Sequence, residues 1–286
     1  MTQPLHPQTL AIRGAKEQTD YNEHNQALFL TSSFMFDSAA DGADLFAHRK
    51  PGFTYSRTAN PTVSAFARRI ALLAVDNCFC SPALQQPLKL GADLSVQSAT
   101  KAIDGHGRVM GGVVCGRAEL MEKVAVYANS AGLLLSPFNA WVLLSGCETL
   151  PLRMEKQNAQ AQAVAEWLEK RSEVAKVYYS GLPSHPQAAL SAKQQSGGGI
   201  VVAFELKGGQ SAAWQVIDRV KVFSKTANLG DVRSTITHPW TTTHCRLEPQ
   251  AKLEAGIREG LIRLSIGLEN TADLIADLQQ ALESIR

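Results

Sequence analysis

Apolar residues along this chain fall into short runs interleaved with helical stripes. Leu72-Leu73-Ala74-Val75, followed by Asp76-Asn77, predicts a buried strand that ends in polar residues. Ala92–Gln97 and Val109–Cys115 predict two more buried strands, with Ser98–Gly107 between them, and Pro82–Leu90 predicts a short helix stopped by Gly91. A helical stretch then runs from about Ala118 to Glu173, broken by Pro137 and kinked or ended near Pro151. The part after Pro151 is polar on one face (Glu155, Gln157, Gln160, Gln162) and suits a connecting helix that leads into a second domain. Beyond it come strands at Lys176–Ser180, Ile200–Leu206 and Leu261–Gly267, and helices at His185–Gln195, Ser211–Val220 and Thr271–Ile285. Strands alternating with helices argue for a parallel α/β sheet, with sites at the strand C-terminal ends, and a smaller α/β domain after it.

One junction breaks the pattern. Pro61 opens a helix carrying Val63, Phe66, Ala67 and Ile70 at helical spacing, and this helix runs into the strand before Asp76. No Gly, Pro, Asn or Asp lies between Thr62 and Val75, so the connection that a helix and a buried strand require is missing. Residues 1–60, with breakers and little periodicity, read as an extended arm.

Composition narrows the function classes. The hydrophobic fraction of 45% and charged fraction of 19% are those of a globular protein. A net charge of +2 gives no electrostatic case for nucleic acid or an anionic membrane. No apolar run approaches the roughly 20 residues that span a bilayer, and Met1–Asp20 lacks a signal-peptide core. Five cysteines, an odd number, read as buried reduced thiols; with the absent signal they place the chain in the cytoplasm.

The candidate chemistry lies at Ser98-Ala99-Thr100-Lys101, with Gly105-His106-Gly107 after it. Hydroxyls and backbone N–H groups at a strand end suit a phosphate. A lysine partly desolvated there becomes a usable amine nucleophile. A Ser/Thr-rich turn with a solvated lysine gives the same pattern. Asp76, at the end of the preceding strand, lies at the same sheet edge if the strands are parallel, where its carboxylate can pair with a protonated pyridine nitrogen. A plain loop carboxylate also fits it.

Taken together, Val75-Asp76-Asn77 with Cys78-Phe79-Cys80, Gly91-Ala92-Asp93, Ser98-x-Thr100-Lys101 and Gly105-His106 resemble the cofactor signature of the Cys/Met-metabolism enzymes that depend on pyridoxal 5'-phosphate (PLP). Tyr55-Ser56-Arg57 with Asn60-Pro61-Thr62 is similar to that family's arm motif, and Ile262-Arg263-Leu264-Ser265-Ile266-Gly267 to its substrate-carboxylate motif. Asn228-Leu229-Gly230-Asp231, with Thr237-His238-Pro239 and Thr241-Thr242-Thr243-His244, looks most like the O-succinylhomoserine sulfhydrylase branch. The resemblance implies an α/β fold of the aspartate-aminotransferase type (fold type I), with an arm at 1–60, a cofactor-binding large domain at 61–150 and a small domain at 151–286.

The resemblance also implies roles. Lys101 would hold PLP as a Schiff base and shuttle protons, Asp76 would pair with the ring nitrogen, and Ser98 and Thr100 would bind the phosphate. Tyr55 and Arg57 would reach the phosphate of a neighbouring subunit in a homotetramer, a dimer of dimers. Arg263 would clamp the substrate carboxylate, a task for which a planar guanidinium is suited, and Asn228 would face the substrate. The reaction implied is a γ-replacement of methionine biosynthesis, O-succinylhomoserine plus sulfide giving homocysteine and succinate. Cystathionine synthases and lyases share every one of these residues, and an O-acetylhomoserine sulfhydrylase is a further alternative. His238 and His244 fit a substrate-side loop rather than a metal site, and Cys78 and Cys80 read as packing.

The chain departs from the family where its connector is missing. Members carry about a hundred more residues between the helix at Pro61 and the strand before Asp76, enough for several βα units. That segment brings a phosphate-binding turn and the aromatic ring that stacks on the cofactor. The seam is expected near Ala71–Val75, and loss of central strands should expose apolar faces. An inactive homologue serving as a structural partner is therefore the alternative from another class. Ala102 and Gln97 stand where the family usually has an aromatic residue and His.

Overall fold

The computed structural model describes residues 27–47, 49–56, 60–62 and 72–285. It divides into two compact units whose boundary falls between Leu72 and Leu73, inside the expected seam.

In the first unit, the helix Ala39–Phe46 is capped by Ser38, whose Oγ accepts the Asp41 N–H at 3.0 Å. Ser33 and Tyr55 form an isolated antiparallel bridge, and the Phe34 ring packs, tilted, against those of Phe29 (6.4 Å) and Phe53 (5.6 Å). Asn60 is buried; its side-chain amide donates to Phe29 O, and its carbonyl oxygen accepts the Thr62 N–H at 2.9 Å, which starts a helix at Pro61. The predicted positions Val63, Phe66, Ala67 and Ile70 lie outside the described residues.

The second unit holds two sheets. The first has three strands in the order β1 (Ala74–Asp76), β2 (Leu94–Ser98), β3 (Gly112–Gly116). β1 and β2 are parallel, as the sequence implied, but β3 runs antiparallel to β2. The expectation of an all-parallel sheet is corrected here. Only a single helical turn, Ala99–Ile103, lies between β2 and β3, too little for the crossover that a parallel neighbour needs. The predicted Pro82–Leu90 helix is also split, into Ser81–Leu84 and a 3-10 turn at Pro87–Leu90. Pro87 forces Gln86 out of the helical region. Gly91 ends the turn at φ +100°, as expected.

The second sheet has five strands in the order β4 (Val174–Tyr178), β5 (Val201–Leu206), β8 (Leu261–Ser265), β7 (Thr235–Thr237), β6 (Ser224–Lys225). Its pairs are antiparallel except β6–β7. Helices Leu150–Leu168, Gly209–Arg219 and Thr271–Glu283 cover it, and Leu168, Val202, Phe204, Val216, Ile262, Leu264 and Leu278 form its fully buried core.

The helix Leu150–Leu168 differs from its predicted character. Gln157 and Gln160 are 0% and 1% exposed rather than part of a solvated face. Gln157 Nε2 donates to the carbonyls of Asp231 (2.9 Å) and Ile266 (2.8 Å), and Gln160 Nε2 to that of Gly267 (2.7 Å). These amides satisfy loop carbonyls that burial would otherwise leave unpaired.

The small sheet keeps the marks of what is missing. All three β1 residues escape full burial, Leu72 and Leu73 are 52% and 56% exposed, and the helix Ala118–Ser130 buries no residue. Tyr127 and Trp141, 69% and 67% exposed, widen this apolar surface. The five cysteines are unpaired, but only Cys78 is buried; Cys115, Cys147 and Cys245 are exposed, which corrects the expectation of buried thiols. Among the described residues no helix is long and apolar enough to cross a membrane.

Candidate active site

Parallel pairing of β1 and β2 sets Asp76 opposite Val96, and the ladder continues with the Asn77 N–H donating to Val96 O at 2.9 Å. Asp76 therefore sits at the strand end that leads through Ser98 to Lys101. Its Oδ1 accepts the Cys78 N–H at 3.0 Å. The Cys78 thiol and N–H hold the Asp76 carboxyl below its usual range, against a small effect of burial and with help from the nearby Lys101 charge.

Lys101 interrupts the helical turn Ala99–Ile103, with φ −88° and ψ −124°. Its Nζ lies 4.6 Å from the centre of the Phe79 ring, a cation–π contact. Arg153 fixes this turn from behind. Buried among the core residues, it donates from Nη1 to Ala102 O (2.7 Å) and from Nη2 to Ile103 O (3.2 Å) and Gly146 O (2.7 Å).

The loop from Ala227 to Arg233 closes on the same turn. Gly230, at φ +81°, lies so close that an added Cβ would stand 2.9 Å from Lys101 Cβ. The Val232 N–H donates to Gly105 O at 2.7 Å, and Arg233, paired with Asp231 at 2.8 Å, donates to His106 O. Arg263, on β8, reaches this loop by donating from Nη2 to Ala227 O at 2.7 Å. Its Nε is buried and has no partner, and burial pulls the guanidinium pKa down. A desolvated cation with an unmet donor is a seat for a carboxylate.

The structure thus brings Asp76, Ser98, Thr100, Lys101, Asn228 and Arg263 to one region. Asn228 is exposed, and its carbonyl accepts from Thr235 Oγ1 at 2.8 Å. Thr100 Oγ1 is engaged on both sides by Gly111, accepting from N at 3.0 Å and donating to O at 3.2 Å. Ser98 donates its N–H to Cys78 Sγ at 2.8 Å. Tyr55 lies in the first unit, 43% exposed, and Arg57 lies outside the described residues. Sequence reasoning missed Arg153, quoted Gly230 only as part of the Asn228–Asp231 motif, and read Cys78 as packing. The positive φ at Gly230 leaves only a generic glycine as its signal, and Arg153 acts across about fifty residues.

A lysine amine, a carboxylate held ionised near it and a guanidinium with one buried, unmet N–H fit an amine-bound cofactor and an anionic amino acid. The phosphate seat is only partly present, because the Thr100 hydroxyl is engaged with Gly111.

Comparison with known proteins agrees with this arrangement. The family model described as Cys/Met metabolism PLP-dependent enzyme matches residues 8–74 and 71–283, two segments that meet at the expected seam. The O-succinylhomoserine sulfhydrylase of Pseudomonas aeruginosa is 40% identical over an alignment of 383 residues, which covers 97% of this chain and 95% of the relative. Since the chain has 286 residues, about a hundred aligned positions have no counterpart in it. An L-methionine gamma-lyase of Pseudomonas putida is 44% identical over 75% of this chain, but the match spans only 54% of the lyase. The chain thus spans about half the length of several curated relatives it matches. A crystal structure of cystathionine gamma synthase from Xanthomonas oryzae pv. oryzae superposes with a TM-score of 0.74 at 30% identity, covering 98% of both chains. One of a gamma lyase from Micromonospora echinospora gives 0.73 at 41% identity, covering 77% of this chain and 58% of the lyase. With part of the large-domain sheet of fold type I missing, the chain belongs to the Cys/Met metabolism family of PLP-dependent enzymes.

Proposed function

We propose that the chain descends from, and where active performs, the γ-replacement of O-succinylhomoserine by sulfide, which yields homocysteine and succinate. The observation that carries this reading is the 40% identity to the Pseudomonas aeruginosa sulfhydrylase, aligned end to end on both sides of the seam. Bound PLP would supply an electron sink for negative charge at the substrate Cα. Lys101 Nζ would then serve as the base for the Cα and Cβ protons, and the Asp76 carboxylate would pair with the ring nitrogen. Arg263, on β8, would grip the substrate carboxylate through its unmet Nε, with Asn228 on the neighbouring loop that Arg263 reaches at Ala227. Ser98 and Thr100 take the phosphate, which requires Thr100 to exchange a Gly111 contact. Tyr55 and Arg57 belong to a neighbour's phosphate site in a cytoplasmic homotetramer.

Product analysis tests the reading. Homocysteine and succinate formed from O-succinylhomoserine and sulfide support it, whereas cystathionine formed with cysteine as acceptor favours a cystathionine gamma-synthase. Turnover of the O-acetyl ester alone favours an O-acetylhomoserine sulfhydrylase. A second reading, an inactive homologue that serves only as a structural partner, is favoured by the exposure of Asp76 and of the apolar surface around β1. A colourless protein that copurifies with a full-length homologue, and whose Lys101 peptide is not labelled by PLP and borohydride, establishes that second reading.

A further inference from the structure

We infer that Ser265 is a positioning residue whose hydroxyl sets the spacing between Lys101 and Arg263. The inference rests on the reading of those two residues given above.

Ser265 and Arg263 stand two residues apart on β8, so their side chains leave the same face of the strand, opposite Ile262 and Leu264 in the core. Both reach the loop that closes on the lysine turn. Arg263 donates to Ala227 O at 2.7 Å, and Ser265 Oγ accepts the Gly230 N–H at 3.0 Å. Ser265 is fully buried, and Gly230 is the residue of that loop whose Cα lies against Lys101 and Ala102. One hydroxyl thus ties the strand that carries the guanidinium to the backbone that carries the amine.

The other anchors of this loop act on other residues. Thr235 Oγ1 donates to Asn228 O, Gln157 Nε2 to Asp231 O, and the Leu268 N–H to Val232 O. Val232 in turn joins the loop to Gly105, beyond the end of the lysine turn. None of these bonds holds the Gly230 N–H. Without the Ser265 oxygen that buried donor would have to move to find a partner, and Lys101, packed against it, would move too. In an α-amino acid the amine and the carboxylate share one carbon. A cofactor held at Lys101 and a carboxylate seat at Arg263 can therefore serve one substrate only at a fixed separation.

The test compares the native chain, Ser265→Ala and Ser265→Thr, each loaded with PLP, for binding of acetate and of glycine. Acetate offers Arg263 a carboxylate alone, whereas glycine adds an amine that must also come within reach of the cofactor. In the alanine variant glycine should bind about tenfold more weakly or worse, while acetate changes by less than about twofold. The threonine variant keeps the acceptor and should bind both as the native chain does. Equal losses for the two ligands, or no loss for either, would overturn the inference, as would a threonine variant that behaves like alanine. In the cofactor-free chain, hydrogen exchange of the Gly230 N–H should rise in the alanine variant and return in the threonine variant, with β5 unchanged; an unaltered Gly230 refutes the contact. If the alanine variant fails to fold, Ser265→Cys, with a weak acceptor in its place, carries the same comparison. Borohydride trapping of PLP at Lys101 of the native protein reports separately on the cofactor reading. Trapping with equal ligand losses removes only the role of Ser265, whereas no trapping removes the cofactor reading and the spacing role with it.

Discussion

Gly230 lies against the backbone of Lys101. At φ +81°, a Cβ on Gly230 would fall 2.7 Å from Ala102 N and 2.9 Å from Lys101 Cβ. Gly230→Ala must both adopt the left-handed region and push the lysine turn aside, at a cost of about 1–3 kcal/mol. The expected outcome is a lowered unfolding midpoint together with loss of PLP trapping at Lys101, read by denaturant melts and peptide mapping.

Arg263 makes opposite demands on stability and binding. Its buried Nε has no partner, so Arg263→Met should leave the fold as stable as before or more so, by up to about 1–3 kcal/mol. The same substitution should weaken binding of the amino-acid substrate at least tenfold, because a charge-assisted contact is worth about 1.5–3 kcal/mol. Thermal melts and calorimetric titration on one variant check both.

Arg153 has the reverse character. Three backbone carbonyls, those of Ala102, Ile103 and Gly146, depend on its guanidinium. Arg153→Met should destabilise the chain by about 3 kcal/mol or more and raise hydrogen exchange at residues 99–105 above that of β5.

His238 confers a pH dependence. Its Nε2–H donates to Glu259 O at 2.7 Å, and its Nδ1 accepts from Thr241 Oγ1 (2.8 Å) and Trp214 Nε1 (3.2 Å). Burial, the leading cause, lowers its pKa despite the Glu259 carbonyl. The unfolded chain therefore takes up this proton at higher pH than the folded one. The contribution is fully present above the unfolded value of about 6.5 and is lost as pH falls below it. Denaturant melts at about pH 7.5 and about pH 5.5 should show a loss of stability that is smaller in His238→Asn.

The apolar surface near the small sheet should bind a hydrophobic dye in the native state. Replacing Val126 and Tyr127 with Lys should reduce that binding while changing stability by no more than about 0.5 kcal/mol each, since neither residue is buried. Dye fluorescence and melts on the double variant read the two effects apart.

The strand before Asp76, the turn bearing Lys101 and the strand of Arg263 were legible because apolar runs end there in chemistry-bearing residues. The seam was legible because turn residues were missing between Thr62 and Val75. The antiparallel β3 was misread, although the 99–111 segment holds too little helix for a crossover. β6 and β7 were missed since two- and three-residue strands of Ser, Lys, Thr and Ile carry no period. Gln157 and Gln160 look solvent-facing in sequence; only the loop carbonyls brought from residues 231, 266 and 267 explain their burial. Contacts of that span leave no local trace.

The contacts that join the lysine turn to the arginine strand all lie between residues 99 and 267, so this floor is assembled downstream of the seam. A stretch of chain grafted in at residues 71–74 would therefore meet a lysine turn already backed by Gly230, on a loop already tied to Arg263. Inserted segments of different sequence should leave those downstream contacts as they stand.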